Sequence, residues 1–438
     1  MIRPGAPMRL AVPWQLLVVA AATCLQSQAI TAERQAHPAV EAFLASSDPF
    51  VQETVLPAIA RHRKAAGVIE VVDEAGVPVR DARVVGRLVR HRFLFGACPP
   101  ERTEDLTPRF IQQWAGLVNF GVAQNALKWS NVERERGRPD FTRVDRMLDL
   151  CDEHGVTLEY HFLTGYHPDW LEALPEAERA ACQQAFARAV VERYRGRIPF
   201  FQVYNEDWLS HVKRAKVWFD QTAFFRELVE ANPGVKFGVS DCWTLDATGP
   251  YPDPAEAKTR YPGIAFVAAH SHRPRRLWPS PRQMYANFDP YVGSGVMLHL
   301  SEYGIDSGEI EGSYRSGTWN EQLKAECFVQ VYAVAFSHPA VEAINHWDMG
   351  PGVRSRTYNA MLEDDGGLKP CYDALHDLIH RAFATELGGA TDAAGRFAFR
   401  GFQGRYEVSV EAGARRVPAT FDLTPGGATT RVVLPASP

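Results

Sequence analysis

Two glutamates in this sequence have the residue type and setting for acid–base chemistry. Glu206 follows the apolar, aromatic run "FFQVYN", and Glu302 stands near the end of "GVMLHLSEY". A pair of opposed carboxyl groups is what cleavage of a glycosidic bond requires, one as acid and one as nucleophile or base. A gap of about 5–5.5 Å between the two groups implies retention of configuration, and a wider gap implies inversion. Charged residues at a strand end are usually just solvated. The surrounding elements must therefore decide between solvated charges and a catalytic pair.

From residue 93 the sequence alternates between short apolar runs and longer segments with helical spacing. Eight runs predict strands, at 93–97, 120–125, 156–163, 200–206, 235–241, 264–272, 295–303 and 341–347. Eight strand–helix units over about 290 residues are typical of the (β/α)8 barrel, an α/β fold. A doubly wound open sheet also alternates in this way, but no glycine-rich phosphate loop follows the first strand. The pattern therefore favours the closed barrel.

Polar residues recur at the predicted strand ends, where barrel enzymes carry their active sites. They are Asn125, Lys128, His161, Asn205, Glu206, Asp241, His270, His272, Glu302, His346 and Trp347. Strands four and seven face each other across a barrel, so Glu206 and Glu302 can converge over its mouth. This accumulation on one rim favours an active site over solvated strand ends.

The motifs around the two acids resemble those of glycoside hydrolase family 10, the xylanase family, and the resemblance covers roughly residues 90–380. "VYNED" is similar to V-V-N-E, which implies Glu206 as acid/base and Asn205 as partner of the sugar 2-hydroxyl. "LSEYGID" is similar to T-E-L-D-I, which implies Glu302 as nucleophile. The resemblance implies an endo-1,4-β-xylanase-like glycosidase that cleaves xylan or substituted xylan by double displacement with retention.

Other motifs of the resemblance concern the sugar-binding side of the site. "NALKW" is similar to N-E-M-K-W and implies that Asn125 and Lys128 hold the donor sugar. "YHFL" is similar to G-H-T-L and places His161 at the same subsite, while "INHWDM" places Trp347 beneath the donor sugars. "VSDCW" resembles N-D-Y-N on strand five. On strand six we expect His270 to hydrogen-bond to the nucleophile.

The sequence departs from the family pattern at positions that hold substrate. Gln124 stands where the family has Glu, and Gly304 stands where it has Asp. The segment after strand three is shortened to "TGYHPDW", where His167 is the nearest counterpart of a second family histidine. These departures bear on which polysaccharide is bound more than on the two acids.

Two alternative functions remain open from the sequence. His270 and His272 form an H-x-H pair on one face of a strand, and His161 with Asp241 would complete a metal-dependent hydrolase site. Barrel metallohydrolases usually carry this pair early in the chain, so we expect no metal and no other cofactor. A non-catalytic carbohydrate-binding barrel is the second alternative, and the presence of both glutamates argues against it.

The first residues have the pattern of a secretory signal peptide. Residues 1–29 run from a basic start through "LAVPWQLLVVAAATCL" to the small-residue pattern "SQA". We therefore expect a secreted or periplasmic protein. Residues 30–65 have helical spacing and form a lead-in segment, and no other stretch approaches the length of a membrane span.

Short alternating strands flank the barrel, which we assign to residues 91–385. Residues 66–90 carry two or three of them, and residues 386–438 carry about four. Together they resemble one carboxypeptidase regulatory-like β-sandwich, with the barrel inserted after its second strand. We expect this accessory sandwich to lie beneath the barrel, remote from Glu206 and Glu302.

The amino-acid composition bears on which molecules the protein can bind. The net charge of -5 offers no basic footprint for nucleic acid. Six cysteines follow Cys24 without metal-type CxxC spacing, and their pairing cannot be deduced. We expect a monomer whose partner is its polysaccharide substrate.

Overall fold

The computed structural model describes residues 36–101, 106–205, 216–242, 245, 253–271, 275–350 and 359–436. The predicted signal peptide, Glu206 and His272 lie outside these residues. Residues His37–Pro438 form one compact unit. Within the described residues, no helix has both the length and the apolar character needed to cross a membrane.

The strands belong to one barrel and two smaller sheets. In chain order they are β1 (Lys64–Asp73), β2 (Arg83–His91), β3 (Leu94–Ala97), β4 (Phe120–Val122), β5 (Thr157–Tyr160), β6 (Phe200–Asn205), β7 (Lys236–Cys242), β8 (Phe266–His270), β9 (Met297–Tyr303), β10 (Val341–His346), β11 (Glu386–Ala390), β12 (Arg396–Phe402), β13 (Gly404–Ala412), β14 (Arg415–Leu423) and β15 (Ala428–Leu434).

The helices surround the barrel or precede it. They are α1 (Pro38–Leu44), α2 (Leu56–Arg63), α3 (Pro108–Leu117), α4 (Trp129–Val132), α5 (Thr142–Glu153), α6 (Glu176–Tyr194), α7 (Gln221–Ala231), α8 (Pro254–Arg260), α9 (Pro281–Phe288), α10 (Glu321–Ser337) and α11 (Pro370–Asp377). Side chains that cap the backbone begin two of these helices. Thr107 accepts a hydrogen bond from the backbone of Phe110 at the start of α3, and Asn320 does the same for Leu323 at the start of α10.

Eight parallel strands close into the barrel, in the order β10-β3-β4-β5-β6-β7-β8-β9. The predicted (β/α)8 barrel is confirmed, and the doubly wound open sheet is excluded. β4 ends at Val122, three residues earlier than expected. At the end of β4, the backbone N–H of Asn125 donates to the carboxylate of Glu101 instead of to a neighbouring strand. The chain therefore leaves the ladder and forms the short helix α4.

The interior of the barrel contains both aromatic and polar side chains. The rings of Phe120, Phe200 and Phe266 pack around the imidazole of His299, which stacks on Phe266 at 4.4 Å between ring centroids. Apolar layers are usual inside such a barrel. A buried histidine among them must therefore find partners within the barrel.

The accessory sandwich combines strands from both sides of the barrel, as the sequence predicts. One sheet has the order β12-β1-β15 and the other has the order β11-β2-β13-β14. Ile69 pairs with Phe397, and Val84 pairs with Val410, so each sheet joins the early segment to the late one. The late segment contributes five strands where about four were expected. The extra strand, β11, is rich in glycine and forms because it pairs with β2.

The sandwich contacts the barrel at the start of its strands, opposite the mouth. The imidazole of His91 lies edge-on to Phe95 of the barrel and Phe402 of the sandwich. Arg90 donates to the hydroxyl of Thr157, where β5 begins, at 2.9 Å. The sandwich therefore lies at the end of the barrel opposite Glu302.

Candidate active site

Glu302 lies near the end of β9 at the mouth of the barrel, between two histidines. Its Oε1 is 3.2 Å from His270 Nε2 and 3.4 Å from His161 Nε2. All three side chains are buried. His270 ends β8 and His161 directly follows β5, so three different strands bring these groups together. Two imidazoles against one carboxylate oxygen can stabilise its negative charge and orient it.

Asn205 is the last residue of β6, the fourth barrel strand. Its side-chain oxygen accepts a hydrogen bond from the hydroxyl of Ser240 at 2.9 Å. This contact fixes the amide at the strand end, one position before Glu206. In an eight-stranded barrel the fourth and seventh strands, β6 and β9, lie on facing sides.

Asn125 and Lys128 form a polar unit after β4. The ammonium of Lys128 donates to the side-chain oxygen of Asn125 at 2.9 Å and lies 4.1 Å from the centroid of the Tyr166 ring. Tyr166 lies in the shortened loop after β5, with φ at 40° following the positive φ of Gly165. Tyr166 is not among the site residues that the sequence predicts. The available signal in the sequence was an aromatic residue next to a glycine, in a loop at the mouth of the barrel.

The backbone of this unit is held by Glu101, which is also absent from the predicted site residues. The carboxylate of Glu101 accepts from the backbone N–H groups of Asn125, at 2.8 and 2.9 Å, and of Ala126, at 3.1 Å. Burial raises the pKa of Glu101, while these hydrogen bonds and Arg143 act in the opposite direction. Glu101 thus stabilises the turn that presents Asn125 and Lys128.

Trp347 follows β10 and lies beside His161, with the two rings edge to face at 5.5 Å. Trp347 as a whole is partly buried. The carbonyl of Trp347 accepts from the side-chain N–H of Gln124, which also donates to Asp348 at 3.3 Å. Gln124 therefore braces the loop that carries Trp347.

The space beside Gly304 is filled by Asn359. A Cβ at position 304 would lie 2.4 Å from the side-chain oxygen of Asn359. That oxygen accepts from the backbone of Ile305 at 2.7 Å, and the amide donates to Asp348 at 2.6 Å. The loss of the family's Asp is therefore accompanied by a different polar arrangement.

Two further predicted rim residues, His346 and Asp241, are buried on their strands, and His167 lies in the loop after β5. His346 is fully buried, and Nε2 contacts the backbone carbonyls of Asp348 and Asn359, each at 2.9 Å. Burial lowers the pKa of His346 to about 4, which indicates a neutral structural histidine. His167 packs against Trp218, with its Nε2 3.7 Å from Glu172. Asp241 is buried on β7.

Three ligand atoms at the mouth are close enough to hold a metal ion. One atom each from His161, His270 and Glu302 lies within 4.8 Å of the other two. The metal alternative combined His270 and His161 with Asp241 and His272. Within the described residues the group contains Glu302 in place of Asp241, so a metal there would occupy the predicted nucleophile.

Comparisons with known proteins address the fold and the family. Residues 87–227 match the family model described as "Glycosyl hydrolase family 10". The chain is 26% identical over 381 residues to the anti-sigma-I factor RsgI6 of Acetivibrio thermocellus, covering 84% of this chain and 48% of that protein. It is 23% identical over 349 residues to endo-1,4-beta-xylanase 1 of Arabidopsis thaliana, covering 78% of this chain and 36% of that protein. The chain thus spans about half the length, or less, of these two relatives.

Xylanase 10B from Thermotoga petrophila, solved in complex with xylobiose, shares the fold. The TM-score is 0.56 at 18% identity, and the match covers 66% of this chain and 95% of that chain. The family match begins in the middle of β2 and runs through the first half of the barrel into α7. Residues 87–227 of this chain, which include the first half of the barrel, are therefore similar in sequence to glycosyl hydrolase family 10, and the barrel shares its fold with a solved xylanase.

Proposed function

We propose that this protein is an exported glycoside hydrolase that cleaves β-1,4-linked xylan or substituted xylan by double displacement. The observation that carries the proposal is the position of Glu302, buried at the mouth with Oε1 3.2 and 3.4 Å from two imidazole nitrogens. A carboxylate held in this way is suited to attack an anomeric carbon.

The acid/base in this proposal is Glu206. It directly follows Asn205, whose amide is anchored at the end of β6, on the side of the barrel that faces β9. Protonation of the leaving oxygen by Glu206, followed by attack of Glu302, forms a glycosyl-enzyme. Glu206 then acts as base for the water that releases the sugar.

The donor sugar in this proposal binds between Trp347 and the unit of Asn125 and Lys128. The partly buried Trp347 offers a stacking face, and the amide and ammonium offer donors for sugar hydroxyls. With Gln124 and the shortened loop after β5, we expect weaker binding of plain xylose chains or preference for a decorated relative. The xylanases among the related proteins support this substrate class.

Export rests on the pattern of residues 1–29, which we propose to be removed as a signal peptide. N-terminal sequencing of the protein recovered from culture medium or periplasm tests this. A mature chain that starts near residue 30 is the expected result. An intact leader on protein retained in the cytoplasm would contradict it.

Release of reducing sugar from xylan, arabinoxylan and β-glucan by the purified protein tests the activity. We expect release from at least one xylan and none from the Glu302→Gln variant. Activity on linear xylan equal to that on every substituted xylan would contradict the expected preference. An NMR time course should show the retained anomer first, and the inverted anomer first would exclude double displacement.

A second candidate is a barrel that binds the polysaccharide without cleaving it. The alignment to the relative named as an anti-sigma-I factor covers 84% of this chain, and that name denotes a regulatory protein, which favours this candidate. Calorimetric binding of xylo-oligosaccharides with no product after prolonged incubation would support this candidate over the hydrolase.

A further inference from the structure

A continuous series of polar side chains runs through the inside of the barrel from its base to Glu302. From base to mouth its members are Lys236, Glu342, His299, Glu159, Gln202, His161 and Glu302. Glu159, Gln202 and His299 are fully buried. Buried charges are costly unless paired, so this series requires either a structural or a functional reason.

In the lower half of the series, hydrogen-bond donors alternate with carboxylate acceptors. Lys236 donates to Glu342 at 3.0 Å. His299 lies between two carboxylates, with Nδ1 2.5 Å from Glu159 and Nε2 3.4 Å from Glu342. Burial alone would lower the pKa of His299, but its carboxylate partners raise it to about 9. His299 is therefore an imidazolium that donates from both nitrogens.

The donors and acceptors in the upper half of the series can be assigned by starting from Glu159, because a carboxylate can only accept. As a carboxylate, Glu159 accepts from the side-chain NH2 of Gln202. The amide oxygen of Gln202 then faces His161, 2.8 Å from Nδ1. Because that oxygen can only accept, Nδ1 of His161 must carry a proton. Nε2 is the nitrogen that faces Oε1 of Glu302.

We propose that Gln202 and Glu159 are positioning residues that hold His161 in its Nδ1-protonated form and direct Nε2 at Glu302. This inference rests on the proposed role of Glu302 as nucleophile. With its proton on Nδ1, a neutral His161 presents the lone pair of Nε2 to Oε1 of Glu302. The contact of 3.4 Å between these two atoms is favourable when one proton lies between them, on either Oε1 or Nε2. When Glu302 is ionised for attack, that proton resides on His161, and the imidazolium stabilises the carboxylate.

The tautomer can be read directly from 15N-labelled histidines in the full chain. Two-bond 1H–15N spectra distinguish Nδ1-protonated from Nε2-protonated rings, and a His161→Gln sample assigns the signal among the 14 histidines. We expect His161 to be Nδ1-protonated, either neutral or as the imidazolium. A neutral ring protonated only at Nε2 in the wild type would overturn the proposal.

Two substitutions at one position separate the positioning role from packing. Gln202→Met keeps the approximate volume but removes the acceptor, and we expect the His161 signal to change toward the Nε2-protonated form. Gln202→Glu keeps an oxygen facing Nδ1, with one proton shared between positions 202 and 159, and we expect the wild-type tautomer. An unchanged His161 signal in folded Gln202→Met protein would refute the proposal.

Kinetics on an aryl xyloside complete the test. We expect kcat/KM to fall about tenfold to a hundredfold in Gln202→Met, as when the partner that orients a working histidine is removed, and to be largely restored in Gln202→Glu. The matched control is Gln183→Met in α6, because Gln183 is equally buried and donates to the carbonyl of Lys216. Equal losses of activity in both Met variants would indicate packing alone.

The NMR readout needs no turnover, so the two proposals fail separately. An inactive wild-type protein with Nδ1-protonated His161 would refute the hydrolase alone. An active protein with the opposite tautomer would refute the positioning role alone.

Discussion

His299 and Glu159 form an ion pair in the centre of the barrel, with 2.5 Å between Nδ1 and the carboxylate oxygen and both side chains fully buried. In the folded protein the pKa of His299 is about 9, above its ordinary value of 6.5. A group whose pKa is raised by folding stabilises the fold below its unfolded pKa, and this stabilisation is lost as the pH rises through the folded pKa.

We therefore expect the contribution of His299 to the free energy of unfolding to be full below pH 6.5. It should decline between pH 6.5 and 9, by on the order of 3 kcal/mol. Urea unfolding of wild type and His299→Gln at pH 6, 7.5 and 9 measures this. The stability difference should shrink with pH, whereas the exposed control His154→Gln should show no such trend. A difference that stays constant from pH 6 to pH 9 would show that folding does not raise the pKa of His299.

The two proposed catalytic acids are distinguished by their dependence on the leaving group. Glu206→Gln should abolish cleavage of xylan but spare activated aryl glycosides, because protonation of the leaving oxygen matters least for these. Glu302→Gln should abolish both activities. Initial rates on xylan and on an aryl xyloside measure the contrast. Near-native turnover of the aryl xyloside by Glu302→Gln would make the assignment of the nucleophile wrong.

Gln124→Glu restores the residue type of the family pattern, yet we expect it to be harmful here. Gln124 donates to the carbonyl of Trp347 and to the carboxylate of Asp348, and an ionised Glu would place negative charge against both acceptors. The loss at pH 7.5 should be on the order of 2 kcal/mol in the free energy of unfolding.

The pH dependence of this loss identifies its cause. The introduced carboxyl group fits when it is protonated, so the loss should shrink as the pH falls toward 4.5. Gln124→Met, which removes the donor without adding charge, should show no such recovery. Activity of Gln124→Glu above that of wild type would contradict the role of Gln124 as a brace for the Trp347 loop.

Arg63 joins the end of α2 to the base of the barrel. Its guanidinium donates to the carbonyl of His338 at 2.7 Å and to that of Val341 at 2.8 Å, and it lies over the ring of Phe93. Arg63→Met should lower the free energy of unfolding by about 3 kcal/mol, because buried carbonyls lose a charged donor. The control Arg61→Met, at an exposed position of α2, should change it by less than about 0.5 kcal/mol. Since Arg63 is at the end opposite the mouth, kcat and KM of the folded variant should match wild type, and a large change in either would contradict this separation.

The sequence alone was sufficient to predict the architecture and the composition of the rim. Apolar runs of strand length alternating with helical segments are local patterns, and eight of them imply closure. Once closure is assumed, parallel strands place residues such as His161, His270 and Glu302 at one end, whatever their distance along the chain. The split sandwich was predictable for the same reason, because its alternating strands and turns are readable locally. β11 was not predicted, because Gly388 and Gly389 disfavour a strand in the sequence alone. The strand forms because it pairs with β2.

Only the tertiary structure decided which polar groups act on one another. Glu159, Gln202 and His299 each interrupt an apolar strand, and this was a signal in the sequence that a buried partner must exist. Their pairing was not predictable, because Glu159 and His299 are 140 residues apart and meet only when β5 and β9 face the same barrel interior. The same holds for Glu101 beneath Asn125 and Tyr166 beneath Lys128. The energies of such contacts depend on distances of a few ångströms, which are set by closure of the barrel and not by any segment alone.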